Sequence, residues 1–137
     1  IATHMLIIIA IKGQESKVTS DFLAASVGVN PVIIRKTLSQ LKKAGLISVA
    51  RGTGGTEIIK DLREINLFDV YQAVECLGKS GKLFSFHDNP NPNCPVGANI
   101  HKVLDQKLLD IQVAMENQLR QMSLAQVVSD AEARIAK

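Results

Sequence analysis

The chain has 137 residues, 46% of them hydrophobic, with two cysteines and a formal net charge of +3. That length and apolar content suit one small core-forming domain, with or without a helical appendage, and require no disulfide staples. The apolar run Met5–Ile11 stops at Lys12 and Gly13, far short of the ~20 residues that cross a bilayer, so a buried helix is expected and no membrane partner.

The beginning of the chain lacks the basic flank and small-residue cleavage site of a secretory signal. Two cysteines 18 positions apart are no secreted framework either, so the cytoplasm is the expected compartment. Charge is unevenly spread. Residues 1–63 hold nine Lys/Arg against four Asp/Glu, and residues 64–137 hold seven against nine. A basic half is the electrostatic footprint of a phosphate-binding surface, or of a merely solvated basic face.

In chain order, a first helix over the opening 12 residues ends at the Gly13 turn. Thr19 or Ser20 caps a short helix over about 20–27, closed by Gly28. Asn30 then caps a further helix with Pro31 at its first position, where a missing N–H costs nothing. Within it Ile34, Leu38 and Leu41 form a core stripe, which leaves Arg35, Lys36, Ser39, Gln40, Lys42 and Lys43 on other faces. Gly45 ends this helix. The β-leaning runs Leu46–Ala50 and Thr56–Lys60, joined by the glycine-rich Arg51–Gly55, read as a hairpin that must lean on the helices. Two helices, a tight turn and a hairpin are the parts of a winged helix-turn-helix. The fold class is therefore mainly α with a small β-hairpin wing.

A helix from about Leu67 to Leu77 follows, and then a loop in which Pro90, Pro92 and Pro95 discourage regular structure. From about Gly97 a long helix carries Ile100, Leu104, Leu108, Ile111, Met115, Leu119 and Met122 at spacings of three and four. Over ~25 residues it would run ~38 Å, more than a small domain covers, so its copy in a second subunit is the expected partner. Packing on its own domain is the alternative. Ser123 caps a last helix. The charge change near residue 63 divides the chain into a DNA-binding domain at 1–63, a connector and loop at 64–96, and dimerisation and C-terminal helices at 97–137.

The major groove of B-DNA admits one α-helix, and side chains near its N-terminus read base edges. Those side chains are Asn30, Val32, Ile33, Arg35 and Lys36, with Ser39 one turn further on. Asn and Arg suit bidentate contacts to adenine and guanine, and the aliphatic pair suits thymine methyls. Arg51, Gly52, Thr53 and Gly54 form the wing turn, where an arginine gains from the negative potential of a narrow minor groove and glycines permit close approach to phosphate.

The run VNPVIIRKTLSQLKKAGLISVARGTGG (residues 29–55) resembles the Rrf-two family of bacterial winged-helix regulators. REINLFDVYQAVE (63–75) is similar to that family's connector, and NPNCPVGANIHKVL (91–104) to its sensor loop and dimer-helix start. The resemblance implies a homodimer on a partly palindromic operator of double-stranded DNA, with Asn30, Val32 and Arg35 at base-contacting positions and Arg51 as the wing arginine. Family members with an iron–sulfur cluster use three sensor-loop cysteines. Here only Cys94 matches, so no cluster is expected and the chain resembles the clusterless branch.

Helix N-terminal N–H groups near Cys94 would favour its thiolate, which makes it a candidate redox sensor; a small buried cysteine kept for packing is the competing reading. Cys76 reads as core filler and His4 as structural or exposed. The spacing of seven between His87, Cys94 and His101 invites a metal, but a loop and a helix start without CxxC are weak grounds for one. No phosphate loop, nucleophile elbow or paired carboxylates point to an enzyme. The reading is a homodimeric DNA-binding regulator, a repressor under control of Cys94 oxidation. The alternatives are control by a small-molecule effector held between wing domain and dimer helix, or a winged-helix adaptor without DNA binding.

Overall fold

The computed structural model of the chain describes residues 1–52, 54–74, 81–84 and 88–136. Among these residues, six α-helices, a two-stranded antiparallel hairpin and one 3-10 turn follow in the order α1 (Ala2–Lys12), α2 (Ser20–Val27), α3 (Pro31–Lys43), β1 (Ile47–Val49), β2 (Thr56–Ile58), η1 (Leu62–Glu64), α4 (Leu67–Ala73), α5 (Pro95–Arg120) and α6 (Leu124–Ile135).

Local chemistry accounts for most of these boundaries. The Thr19 hydroxyl accepts the Phe22 N–H at 3.2 Å and opens α2, which Gly28 closes in the left-handed conformation at φ +78°. Asn30 Oδ1 accepts the Val32 N–H at 2.8 Å and Pro31 occupies the first turn of α3, both as expected. At α4, Asn66 and Asp69 exchange bonds in a capping box, at 2.8 and 3.0 Å. The sequence extends α4 towards Leu77; the structure places Leu67–Ala73, and residues 75–80, Cys76 among them, lie outside the described residues. The long helix begins two residues before Gly97 because Pro95 is pre-set for the first helical position, and it ends at Arg120, so Met122 lies beyond it.

The core gathers Met5, Leu6 and Ile9 of α1, Leu23 of α2, Ile34, Leu38 and Leu41 of α3, Ile47 of β1, and Ile65. It also takes Leu124 and Val128 from α6. The C-terminal helix reaches back because the chain on either side of α5 is pinned together: Leu67 N–H donates to the Met122 carbonyl at 2.9 Å and Leu124 N–H to the Ile65 carbonyl at 2.7 Å. α6 then packs on α1 and η1.

α5 has a different surface. Over 26 residues its only buried side chain is Gln112, and among the helices α4 is the one it lies along. Gln112, 6% exposed, accepts the Leu83 N–H at 2.8 Å and donates to the Gly81 carbonyl at 2.9 Å and to Glu116 at 3.0 Å, which ties the loop to the helix. Near its C-terminal end the Arg120 guanidinium sits 3.9 Å from the Phe68 ring centroid.

Candidate nucleic-acid interface

The fold leaves one side of α3 in solvent. Ile34, Leu38 and Leu41 are drawn into the core, and Thr37 is buried with them by donating its hydroxyl to the Ile33 carbonyl at 2.9 Å. The residues between are therefore turned outward. Asn30, Val32, Ile33, Arg35, Lys36 and Ser39 are all exposed, with Val32 at 62% and Ile33 at 44%. Two large aliphatic side chains on a monomer surface, flanked by Arg35 and Lys36, leave an apolar strip with a cationic border at the positive end of a helix dipole. Such a strip fits the methyl groups and phosphates of a duplex groove.

The hairpin pairs Ile47 with Ile58, Ser48 with Glu57 and Val49 with Thr56. Its turn carries Arg51, exposed, beside Gly52 at φ +67°. A Cβ at Gly54 would collide with the Ala50 Cβ, so position 54 is closed to larger residues. Thr53 lies outside the described residues.

Two residues that the sequence did not single out join this region. Val18, between α1 and α2, forms an isolated antiparallel bridge with Thr56, which gives the hairpin a one-residue third strand. Its exposed neighbour Lys17 lies against the root of the turn, since a Cβ on Gly55 would come within 3.2 Å of the Lys17 Cβ. A single bridged residue has no periodicity to betray it; a basic residue two positions before the α2 cap was the available signal.

Cys94 is the N-cap residue of α5 and is exposed in the single chain. It makes no capping hydrogen bond. The backbone N–H groups of Gly97 and Val96 are nonetheless placed to hold its thiol below the ordinary value. His101 pairs with Asp105 at 3.0 Å, His87 lies outside the described residues, and among the described residues no three His, Cys, Asp or Glu side chains converge on a metal position. His4 is exposed on α1.

The six residues of the expected seam all lie on α5. Ile100, Leu104, Leu108, Met115 and Leu119 are half-buried and Ile111 is 53% exposed. No described helix is long and apolar enough to cross a membrane. A cavity of about 360 Å³ opens between the end of α1, β2 and η1, with Ile9, Glu57, Lys60 and Leu62 in its walls and no α5 residue among them.

Comparison with known proteins bears on this arrangement directly. The model of the Rrf2 family, described as iron-dependent transcriptional regulators, matches residues 1–130. YwnA of Bacillus subtilis (strain 168), whose name assigns it to the HTH-type transcriptional regulators, is 40% identical over 129 residues, covering 94% of this chain and 92% of its own. A crystal structure that carries the description DNA-binding protein superposes with a TM-score of 0.70 at 35% identity, over 92% of this chain and 94% of that one. The crystal structure of CymR from Staphylococcus aureus superposes at 0.68 with 18% identity, over 93% and 91%, a likeness of fold. The chain is a mainly helical protein with a winged helix-turn-helix, and it belongs to the Rrf2 family of transcriptional regulators.

Proposed function

We propose that this regulator binds double-stranded DNA as a homodimer, with α3 of each subunit in a major groove and each hairpin turn over the adjacent minor groove or backbone. The observation that carries the reading is the outward face of α3. Asn30, Val32, Ile33, Arg35, Lys36 and Ser39 stand clear of a core that holds the opposite face fixed. Arg51, Gly52, Thr53 and Gly54 are the wing's contribution, and Lys17 adds a cation at its root. The seam is α5, where Ile100, Leu104, Leu108, Ile111, Met115 and Leu119 run along a helix with almost no core of its own. A second copy of α5 would cover them, and a two-fold pair of reading helices matches a two-fold operator. Bound in this way the dimer occludes the duplex it covers, so the reading is a repressor.

Cys94 is the proposed signal input. Its thiolate, favoured by the Val96 and Gly97 N–H groups, attacks a peroxide oxygen; the O–O bond breaks, a sulfenate forms and water leaves. Because Cys94 starts α5, the change is delivered to the seam. The family's description includes iron, but one exposed thiol with no converging donors among the described residues is a poor donor set for an iron–sulfur cluster, and none is proposed here.

Selection of bound duplexes from a random pool, with wild type and Arg35→Ala side by side, tests the DNA reading. Wild type is expected to enrich a partly palindromic sequence with an affinity that falls steeply with salt. Arg35→Ala should lose about tenfold and relax one base position in each half-site. Enrichment of no sequence, or equal enrichment by both proteins, removes the proposed role of α3.

A further inference from the structure

We propose that Thr56 is a positioning residue for DNA recognition, its hydroxyl fixing the direction in which the hairpin turn leaves the domain and hence where Arg51 stands relative to α3. The inference rests on the DNA-binding reading for its consequence, but the placement stands on geometry alone. Thr56 is 3% exposed and lies between Val49 of β1 and Val18. Its N–H donates to the Val18 carbonyl at 2.8 Å, and its hydroxyl donates to that same oxygen at 3.0 Å.

A hairpin of three paired positions has no stable orientation in water without a third partner. At its base that partner is the helices, with β1 on α3, β2 on α1 and Ile47 buried in the core; at the turn end, where Val49 pairs with Thr56, it is one residue long. A single N–H···O bond there is a pivot, about which the turn end can swing. A second donor from the same residue, on a side chain that is stiff at χ1, resists rotation about the first. The residue before it adds a steric stop: Gly55 has φ +84°, and a Cβ there would stand 3.1 Å from the Val18 nitrogen. The chain at 55–56 is thus pressed on 17–18 and doubly bonded to it.

The lever is long enough to matter. Arg51 lies two residues beyond Val49, the strand partner of Thr56, or ~7 Å at ~3.3 Å per strand residue, so a swing of ~10° about the bridge moves its backbone by roughly 1 Å. An N–H···O bond is made over a span of only ~0.5 Å. Arg51 would leave its contacts while α3 kept its own.

Thr56→Val keeps the volume and the backbone bond but removes the hydroxyl; Thr56→Ser keeps the hydroxyl and guards against a fold defect in the first variant. Binding is read on the duplex that wild type selects from a random pool, with each variant also made in an Arg51→Ala background. Thr56→Val should weaken binding about three- to tenfold, as the loss of one hydrogen bond implies, and Thr56→Ser by less than about twofold. In the Arg51→Ala background Thr56→Val should cost less than about twofold more, because the side chain it positions is gone. Equal losses in both backgrounds, or wild-type binding by Thr56→Val, overturn the proposal. In the free protein, backbone amide relaxation at Arg51 and Gly52 should show greater mobility in Thr56→Val than in wild type or Thr56→Ser, with α3 unchanged. Unchanged wing mobility rejects the placement whether or not a duplex is ever selected, while failure of wild type to select any duplex counts against DNA binding itself.

Discussion

Asn30 serves the fold and the candidate interface with one side chain, since the carboxamide that caps α3 also stands exposed at the tip of the proposed reading face. The two roles separate by substitution. Asn30→Ala should lower unfolding free energy by about 1 kcal/mol in urea melts, as caps do. Asn30→Asp keeps an acceptor for the Val32 N–H and suits the helix dipole, so it should melt like wild type, yet its charge should abolish binding to the selected duplex. Cys94 gives a pH-dependent test. The folded thiol sits below its ordinary pKa, through the N–H groups of Gly97 and Val96, so thiolate persists to lower pH than in an unfolded chain. Alkylation by iodoacetamide should fall as pH drops through this lowered value. Its half-rate point should lie below that of the same protein in denaturant; coincident points would remove the activation.

At the scale of elements α5 is the outlier. A helix of 26 residues with one buried side chain, and that a glutamine, has little burial in its own chain. Ile111 lies within the proposed seam and is exposed, so Ile111→Asp should leave helical circular dichroism intact while shifting sedimentation from dimer to monomer. A dimer that survives the charge would move the interface to another surface. The wing shows the opposite economy: a hairpin of three paired positions leans on α1 and α3 and, beside the turn, bridges to Val18, a residue outside every helix and named strand.

For the whole molecule, the return of α6 closes the core. Leu124 is fully buried with Leu6, Leu23 and Ile65, although nearly sixty residues separate it from the last of these. Leu124→Ala should therefore cost about 2–5 kcal/mol of global stability and lower hydrogen-exchange protection in α1 and α3 together. A loss confined to α6 would mean that the C-terminal helix rides on the domain without completing it.

Local signals in the sequence marked most helix ends, where a neighbour within a few residues decides the structure, although Pro95, expected in the loop, opens α5. Thr19, Gly28, Asn30, Pro31 and Ser123 marked helix ends because caps are made by the next turn. The outward side of α3 followed from the 3.6-residue period of Ile34, Leu38 and Leu41. Three features required the folded chain. Lys17 and Val18 join the wing across 38 positions, Gln112 bonds to a loop some thirty residues upstream, and α6 folds back on α1. Each depends on contacts between segments far apart in the chain. Hydrophobic period and capping chemistry report what surrounds a residue within about one or two helical turns, and carry no information on which distant surface will cover it.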